Sequence, residues 1–244
     1  MRILGIDTAT PTASVALVED GQLVVEDFSG RIKGWENSSA QTKGNHAEII
    51  LPLIRALLSQ AGIALNDLSG IAVSIGPGSF TGLRIALATV KGIAYDSGLP
   101  VVGVSTLLAN AARVNDADGV VCSLLDARKQ EVYAALFRRS GESLNRLSPD
   151  AVMAIRLAIE LILRAGAKHY VIIGNGAIAY KKLLLDSLGG SARISAGDEY
   201  KSVAAQVAEL AWGRFLTATT DDLGALVPLY LRASEAESKR NFPL

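Results

Sequence analysis

The chain has 244 residues, half of them hydrophobic, which is enough for one large domain or for two lobes that each have a core. Its 24 lysines and arginines equal its 24 aspartates and glutamates, and this balance argues against a protein whose main task is to grip nucleic acid. The single cysteine, Cys122, excludes an intramolecular disulfide, and no apolar run approaches the ~18 to 20 residues that span a bilayer. We therefore expect a cytoplasmic protein that does not enter the membrane.

The first half of the chain predicts a strand meander followed by alternating helices and strands. Apolar runs over residues 2–9, 13–20 and 22–29 predict three strands, and Asp20-Gly21 is typical of a hairpin turn. Residues 30–45 are polar and predict a mobile surface loop. The elements expected after this loop are a helix over 46–62, a strand over 68–76, a helix over 80–97 and a strand over 99–105.

The same pattern recurs in the second half. Asp126 lies 119 residues after Asp7, again in a strand that leads through a polar link into a second strand. A Gly-x-Gly pair follows a strand in both halves, as Gly76 and Gly78 in the first and as Gly174 and Gly176 in the second. Helices expected to complete the second half lie at 150–166, 177–187 and 202–216. The repeat predicts two α/β lobes of one topology, a duplicated βββαβαβα, over 1–107 and 108–231, with a charged and frayed tail over 232–244.

The Gly-x-Gly turn of "GPGSFTG" (76–82) has two interpretations. A turn between a strand and a helix directs free amides and the helix dipole at its mouth, which suits a phosphate. Both established phosphate motifs fail here, because Leu83 and Arg84 follow Gly82 where a Walker loop has Lys-Ser or Lys-Thr, and Thr81 replaces the third glycine of the dinucleotide pattern. The alternative is a tight turn whose Ser79 or Thr81 caps the following helix.

The helix over 80–97 is apolar around most of its circumference, apart from a basic stripe formed by Arg84 and Lys91. Such a helix is expected to be buried on two sides, one of which faces its own sheet. The second side could be covered by the loop 30–45 or by a partner. Because that loop is polar, the pattern favours a partner that also covers the broad apolar face of the helix over 46–62.

Asp7 lies within an apolar run, and a buried carboxylate is costly unless it is paired or hydrogen-bonded. In two-lobed phosphotransferases an aspartate at this place serves a metal–phosphate group. The alternative is an Asx-turn, in which Asp7 accepts hydrogen bonds from the amides near Thr8 to Thr10. The two histidines, His46 and His169, are far apart and form no His-x-x-x-His pair, so the sequence predicts neither a metal site nor a catalytic residue.

Five stretches together resemble the bacterial TsaB (YeaZ) family: "ILGIDTAT", "GNHAEIILPLI", "GPGSFTGLRIALATVKG", "LPVVGVSTL" and "PLYLR". Members of this family have a two-lobed actin-like (ASKHA, ribonuclease-H-like) fold and are needed for threonylcarbamoyl modification of adenosine in tRNA. The catalytic paralogue TsaD carries a metal-binding His-x-x-x-His pair after the strand that matches "LPVVGV". Thr106 and Asn110 stand at those two positions here, so the resemblance implies a subunit without catalytic residues or metal.

The resemblance also implies partners. Family members pair with TsaD through the first two helices of the N-terminal lobe, act with a TsaE-type ATPase, form homodimers when alone, and reach tRNA only indirectly. The residues expected at the partner interface are His46, Ile50, Leu53, Leu57, Leu83, Arg84, Leu87, Val90 and Lys91.

No cofactor is firmly implied, and ATP or ADP at the subunit interface is left open. Residues that would serve such a nucleotide are Asp7, Thr8, Gly76, Gly78 and Ser79. An ATP-dependent small-molecule kinase of the same two-lobed fold is the alternative function, because Asp7, Asp126 and the two Gly-x-Gly turns are the residues that such a kinase would need.

Overall fold

The computed structural model describes residues 1–29, 46–115, 118–195 and 202–232. The loop predicted over 30–45 and the tail beyond residue 232 lie outside the described residues. The described chain forms two β-sheets with helices packed on them. The first sheet has the strand order β3-β2-β1-β4-β5. Its strands are β1 (Arg2–Asp7), β2 (Ser14–Glu19), β3 (Gln22–Phe28), β4 (Gly70–Gly76) and β5 (Val101–Ser105), and the helices interleaved with them are α1 (His46–Ala61), α2 (Phe80–Ser97) and α3 (Thr106–Ala112).

The second sheet has the order β11-β10-β6-β7-β8, and β9 also pairs with β7. Its strands are β6 (Gly119–Arg128), β7 (Glu131–Ser140), β8 (Ser143–Arg146), β9 (Ala151–Ala154), β10 (Tyr170–Ile173) and β11 (Ala192–Ile194). The helices in the second half of the chain are α4 (Ile155–Arg164), α5 (Asn175–Ala179), α6 (Lys181–Leu188) and α7 (Ala204–Leu216). Taken from the other edge, the order β8-β7-β6-β10-β11 repeats that of the first sheet, which confirms the predicted two-lobed, duplicated α/β fold.

The first-lobe elements agree closely with the sequence prediction because their local signals are strong. Asp20 and Gly21 both adopt positive φ, as the predicted hairpin turn requires. Helix α2 has the predicted bounds: the Ser79 side chain caps its first turn, and Gly98 ends it in the left-handed conformation.

The prediction of a helix from residue 150 is wrong at its start. Residues 151–154 form β9, which pairs antiparallel with β7 through contacts such as Val132 opposite Met153. The apolar run "AVMA" continues the helical pattern of the residues after it, so only the long-range pairing distinguishes it as a strand. The duplicated topology also predicted a third strand and a last strand in the second lobe without locating them, and these are the short strands β8 and β11.

Helix α7 was predicted to complete the second lobe, but it packs on the first sheet. Its first turn lies so close to β1 that a Cβ on Gly5 would be 2.1 Å from the Ala204 carbonyl oxygen, and its Val207 and Ala211 share a core with Ile3. In return, α3 of the first half packs Leu107 and Ala111 against Val121 and Phe137 of the second sheet. The two halves therefore exchange their last helices. The lobe limits 1–107 and 108–231 remain a prediction, and they do not mark units that could be separated.

Candidate functional site

The turn after β4 meets the β1–β2 hairpin at very short distance. A Cβ on Gly78 would lie 2.4 Å from the Ala9 carbonyl oxygen, and a Cβ on Gly82 would lie 1.9 Å from the Thr8 carbonyl oxygen. Hydrogen bonds join the same segments, because the Ser79 amide donates to the Ala9 oxygen at 2.8 Å and the Thr8 hydroxyl donates to the Gly82 oxygen at 2.6 Å. These glycines are needed for contact between two parts of the chain itself.

Three amides at the start of α2, those of Ser79, Gly82 and Leu83, have partners within the chain. The Ser79 hydroxyl oxygen accepts from the Gly82 amide at 3.2 Å, and the Leu83 amide donates to the Ser79 carbonyl oxygen at 2.9 Å. With the Ser79 amide on Ala9, this turn is a cap that joins a helix to a neighbouring hairpin, which is the second of its two interpretations. In this conformation the turn does not present these amides to a phosphate.

Asp7 is fully buried at the end of β1. Its carboxylate accepts from the Ala9 amide at 3.2 Å, from the Thr10 amide at 3.4 Å and from the Thr10 hydroxyl at 2.6 Å, which is the predicted Asx-turn. Burial raises the pKa of Asp7, while the hydrogen bonds from Thr10 and Ala9 act in the opposite direction. The five residues expected to serve a nucleotide thus lie together, but Asp7 and Thr8 are buried in the contact between hairpin and turn, and only Ser79 among the polar ones is exposed.

The second half repeats this arrangement. Gly174 after β10 has φ 106°, close to the 112° of Gly76, and a Cβ on it would lie 2.2 Å from the Leu124 carbonyl oxygen of β6. The Asp126 amide donates to the Asn175 side-chain oxygen at 3.1 Å, and the Asp126 carboxylate accepts from the Arg128 amide at 2.9 Å. Both Gly-x-Gly turns therefore pack on the β-hairpin of their own sheet.

Thr106 and Asn110, at the positions of the family's metal-binding pair, are both buried in α3. The Asn110 amide nitrogen donates to the Ser123 hydroxyl at 3.3 Å. A threonine hydroxyl and an amide engaged in this way are poor substitutes for imidazole ligands. Within the described ranges, no group of three or more histidine, cysteine, aspartate or glutamate side chains is placed to hold a metal ion.

The structure corrects which side chains of α1 and α2 can face a partner. Six of the nine predicted interface residues fill the chain's own interior and are at most 4% exposed: Ile50, Leu53, Leu57, Leu83, Leu87 and Val90. The remaining three, His46, Arg84 and Lys91, are partly or fully exposed. Helical periodicity identified the apolar side of each helix, but it could not show that the chain's own sheet covers that side.

The outward side of the two helices is formed by other residues. We define the outer helix face by Leu51 and Arg55 of α1 and by Arg84, Ala88, Gly92 and Tyr95 of α2, all of which are exposed. Leu51 is 54% exposed and Tyr95 is 88% exposed. A Cβ on Gly92 would have no atom within 4 Å, so no other part of the described chain covers α2 at this position. This face combines large apolar side chains with small ones that allow another helix to approach.

The basic stripe of α2 is occupied by residues 221–232, which we call the C-terminal strap. The Arg84 guanidinium donates to the Tyr230 hydroxyl at 2.9 Å and lies over the Phe80 ring, which stacks on Tyr230 at 4.4 Å between centroids. Lys91 donates to the Gly224 carbonyl oxygen at 3.4 Å. Sequence reasoning missed this role of the strap, although "PLYLR" (228–232) was one of the motifs of the family resemblance.

No helix in the described parts of the chain is long and apolar enough to cross a membrane.

Known proteins resemble this chain over nearly its whole length. The model of the family described as "TsaD: tRNA N6-adenosine threonylcarbamoyltransferase" matches residues 39–238. The tRNA threonylcarbamoyladenosine biosynthesis protein TsaB of Bacillus subtilis (strain 168) is 30% identical, over 98% of this chain and 97% of the relative. The protein of the same name from Escherichia coli (strain K12) is 31% identical over 98% of both chains. The solved structure of YeaZ from Pseudomonas aeruginosa has a TM-score of 0.71 at 25% identity, covering 94% of this chain and 99% of that one. The chain therefore belongs to the TsaB (YeaZ) branch of the TsaD-like family, whose curated members are tRNA threonylcarbamoyladenosine biosynthesis proteins.

Proposed function

We propose that this chain is a non-catalytic subunit that docks on a TsaD-type transferase, and activates it, through the outer helix face. The observation that carries the proposal is the exposure of Leu51 on α1 and of Tyr95 on α2, the helix that also carries the exposed small residues Ala88 and Gly92. Large exposed apolar side chains mark interaction sites, and small residues between them let a partner helix come close. Arg55 adds an exposed charged group to the face, and Arg84 adds one that is already bound to Tyr230 of the C-terminal strap.

The absence of a catalytic role is proposed from the chemistry of the buried residues. Asp7 accepts three internal hydrogen bonds and is fully buried, so it does not reach a phosphate or a metal ion in this conformation. Thr106 and Asn110 are buried in α3. These contacts argue against the kinase alternative, which requires a carboxylate that faces substrate. A nucleotide at the subunit interface would meet the exposed Ser79 and Thr81 rather than Asp7.

The outer helix face would be shared between two partners. In the absence of the transferase, a second copy of the chain would cover the same exposed apolar side chains, so homodimer and heterodimer exclude each other. The chain's balanced charge fits a subunit that leaves tRNA binding to the transferase.

A matched pair of leucines tests the proposal. Leu51 on α1 and Leu157 on α4 are both 54% exposed, and α4 is the helix of the second lobe that corresponds to α1. Leu51→Glu places a charge in the proposed interface and is expected to weaken binding to the transferase at least about tenfold. Leu157→Glu is expected to bind like the wild type.

Binding would be measured by light scattering on a sizing column and by titration, and threonylcarbamoyl transfer to tRNA would be measured on the same mixtures. Loss of complex and of stimulated transfer with Leu51→Glu alone supports the proposal. Equal binding by both variants, or loss with Leu157→Glu instead, would contradict it. ATP turnover by the isolated chain, sensitive to substitution of Asp7, would overturn the non-catalytic assignment.

A further inference from the structure

The C-terminal strap is anchored to the edge of the first sheet at its start. The Asp221 carboxylate accepts from the Gly103 amide at 2.7 Å and from the Arg214 guanidinium at 2.7 Å, and the Asp221 amide donates to the Val101 carbonyl oxygen at 2.9 Å. Farther along, the Leu229 amide donates to the Ile75 carbonyl oxygen at 2.7 Å. The strap therefore pairs with backbone groups of both β5 and β4 before it leaves the first lobe.

The strap ends in the second lobe. The Arg232 guanidinium donates to the Glu131 carboxylate at 2.9 Å and to the Ala127 carbonyl oxygen at 3.0 Å. Both side chains of this ion pair are about one-third exposed, so water screens the pair only in part. One guanidinium thus binds both strands of the β6–β7 hairpin.

A bulge in the β6–β7 hairpin leaves the carbonyl oxygen that binds this guanidinium without a partner strand residue. The pairing register shifts between Asp126 and Arg128, and this bulge leaves Ala127 without a partner on β7. Its carbonyl oxygen is the one that accepts from Arg232. Arg128, Lys129 and Gln130 at the hairpin end all have positive φ, an unfavourable conformation for residues other than glycine.

A second polar contact joins the lobes elsewhere. The Ser105 hydroxyl, at the end of β5, donates to the Asp150 carboxylate at 2.6 Å, and Asp150 also forms an ion pair with Arg146 of β8. Polar contacts therefore join the two lobes at two separate places, at Asp150 and at Arg232.

We propose that the C-terminal strap is a brace that holds the two lobes in one relative orientation, with Arg232 as the pin that fixes it to the β6–β7 hairpin. The brace opposes rotation of one lobe against the other. It also gives the motif "PLYLR" a physical role: Leu229 and Tyr230 attach to the first lobe, and Arg232 attaches to the second. The proposal does not depend on which partner the outer helix face binds.

Interlobe distances measured on the full chain test the brace. Spin labels would be placed through Val24→Cys on β3 and Lys168→Cys before β10, both at exposed positions, and Cys122 is buried and does not take a label. Labelled chain would be diluted with unlabelled chain, so that only distances within one molecule are recorded. The wild type is expected to give one narrow distance distribution, and Arg232→Ala a broader or shifted one.

Amide hydrogen exchange provides the second measurement. Arg232→Ala is expected to speed exchange in residues 126–131 about tenfold, because the hairpin loses two hydrogen bonds from a charged group. Arg232→Lys is expected to give an exchange rate between those of the wild type and Arg232→Ala, since an ammonium group lacks the forked guanidinium geometry that reaches both oxygens. The control is Arg156→Ala on the exposed side of α4, which should leave distances and exchange unchanged.

A folded Arg232→Ala variant with the wild-type distance distribution and wild-type exchange over 126–131 would overturn the proposal. If Arg232→Ala does not fold, Glu131→Ala decides by the same two criteria, because it removes one acceptor of the pin and leaves the strap intact. Broader distances in Arg156→Ala as well would also refute the specific role of Arg232.

Discussion

The close approach of α2 to the first hairpin makes Gly82 a position where even a methyl group should be destabilising. An alanine Cβ there would lie 1.9 Å from the Thr8 carbonyl oxygen, whereas real Cβ contacts essentially never fall below 3.0 Å. The helix and the hairpin must therefore separate by about 1 Å. Separation of this size weakens the hydrogen bonds from the Thr8 hydroxyl to Gly82 and from the Ser79 amide to Ala9.

The expected cost of Gly82→Ala follows from these contacts. Overpacking costs about 1–3 kcal/mol, and two buried hydrogen bonds contribute about 1 kcal/mol each. The higher helix propensity of alanine returns about 1 kcal/mol. The free energy of unfolding should thus fall by about 2–4 kcal/mol, which corresponds to a drop in Tm of about 5–15 °C for a chain of this size.

Gly92→Ala in the same helix is the control. A Cβ on Gly92 meets no atom within 4 Å, so only the higher helix propensity of alanine remains. The free energy of unfolding should therefore rise by about 0.5–1 kcal/mol. Both variants would be followed by urea and thermal denaturation at a concentration where the chain is monomeric. Gly82→Ala as stable as the wild type would refute the idea that this glycine exists for contact within the chain.

Three further predictions concern single contacts. Thr10→Val removes the 2.6 Å hydrogen bond to the buried Asp7 carboxylate and should lower the free energy of unfolding by about 1.5–3 kcal/mol; an unchanged urea midpoint would show that this bond does not support Asp7. Gln130→Gly relieves the positive φ of 60° at the β6–β7 turn and should raise the free energy of unfolding by about 0.5–1 kcal/mol, whereas a lower Tm would mean that the side chain is needed. Arg214 and the Gly103 amide hold the pKa of Asp221 below its usual 3.8 despite the opposing effect of burial, so its contribution to stability is full above that value and is lost as the pH falls through the lower folded-state pKa. The stability difference between the wild type and Asp221→Asn, measured by urea denaturation from pH 7 to pH 3, should therefore be constant above about pH 4 and shrink below it; a difference that grows on acidification would contradict the ion pair.

Local signals in the sequence were sufficient for much of the fold. Asp20-Gly21 fixes a hairpin, and Ser79 and Gly98 fix the ends of α2, because each of these residues acts on its immediate neighbours. The placement of α7 and β9 depends on contacts with distant segments, such as Ala204 against Gly5 and Met153 opposite Val132. Periodicity alone cannot supply those contacts.

The candidate site, like the fold, could be predicted from the sequence only where the signals are local. The sequence indicated that α1 and α2 matter, and it weighed an Asx-turn at Asp7 that the structure contains. The apolar pattern assigned Ile50 and Leu87 to the partner interface, but both are buried in the chain's own interior. An apolar stripe has the same sequence pattern whether the chain's own sheet or a partner covers it. Tyr95 and Leu51, single exposed side chains on the opposite side, give no periodic signal. The strap residues Asp221 and Arg232 gave none either, since both act through partners far away in the sequence.

Photo-crosslinking would test the docking assignment most directly. A benzophenone amino acid would replace Tyr95 of the outer helix face in one variant and Leu157 of α4 in another, and each would be irradiated with the TsaD-type transferase. We predict a covalent adduct with the transferase from position 95 and none from position 157. An adduct from position 157, or none from position 95 in a mixture that still forms the complex, would contradict docking through the outer helix face.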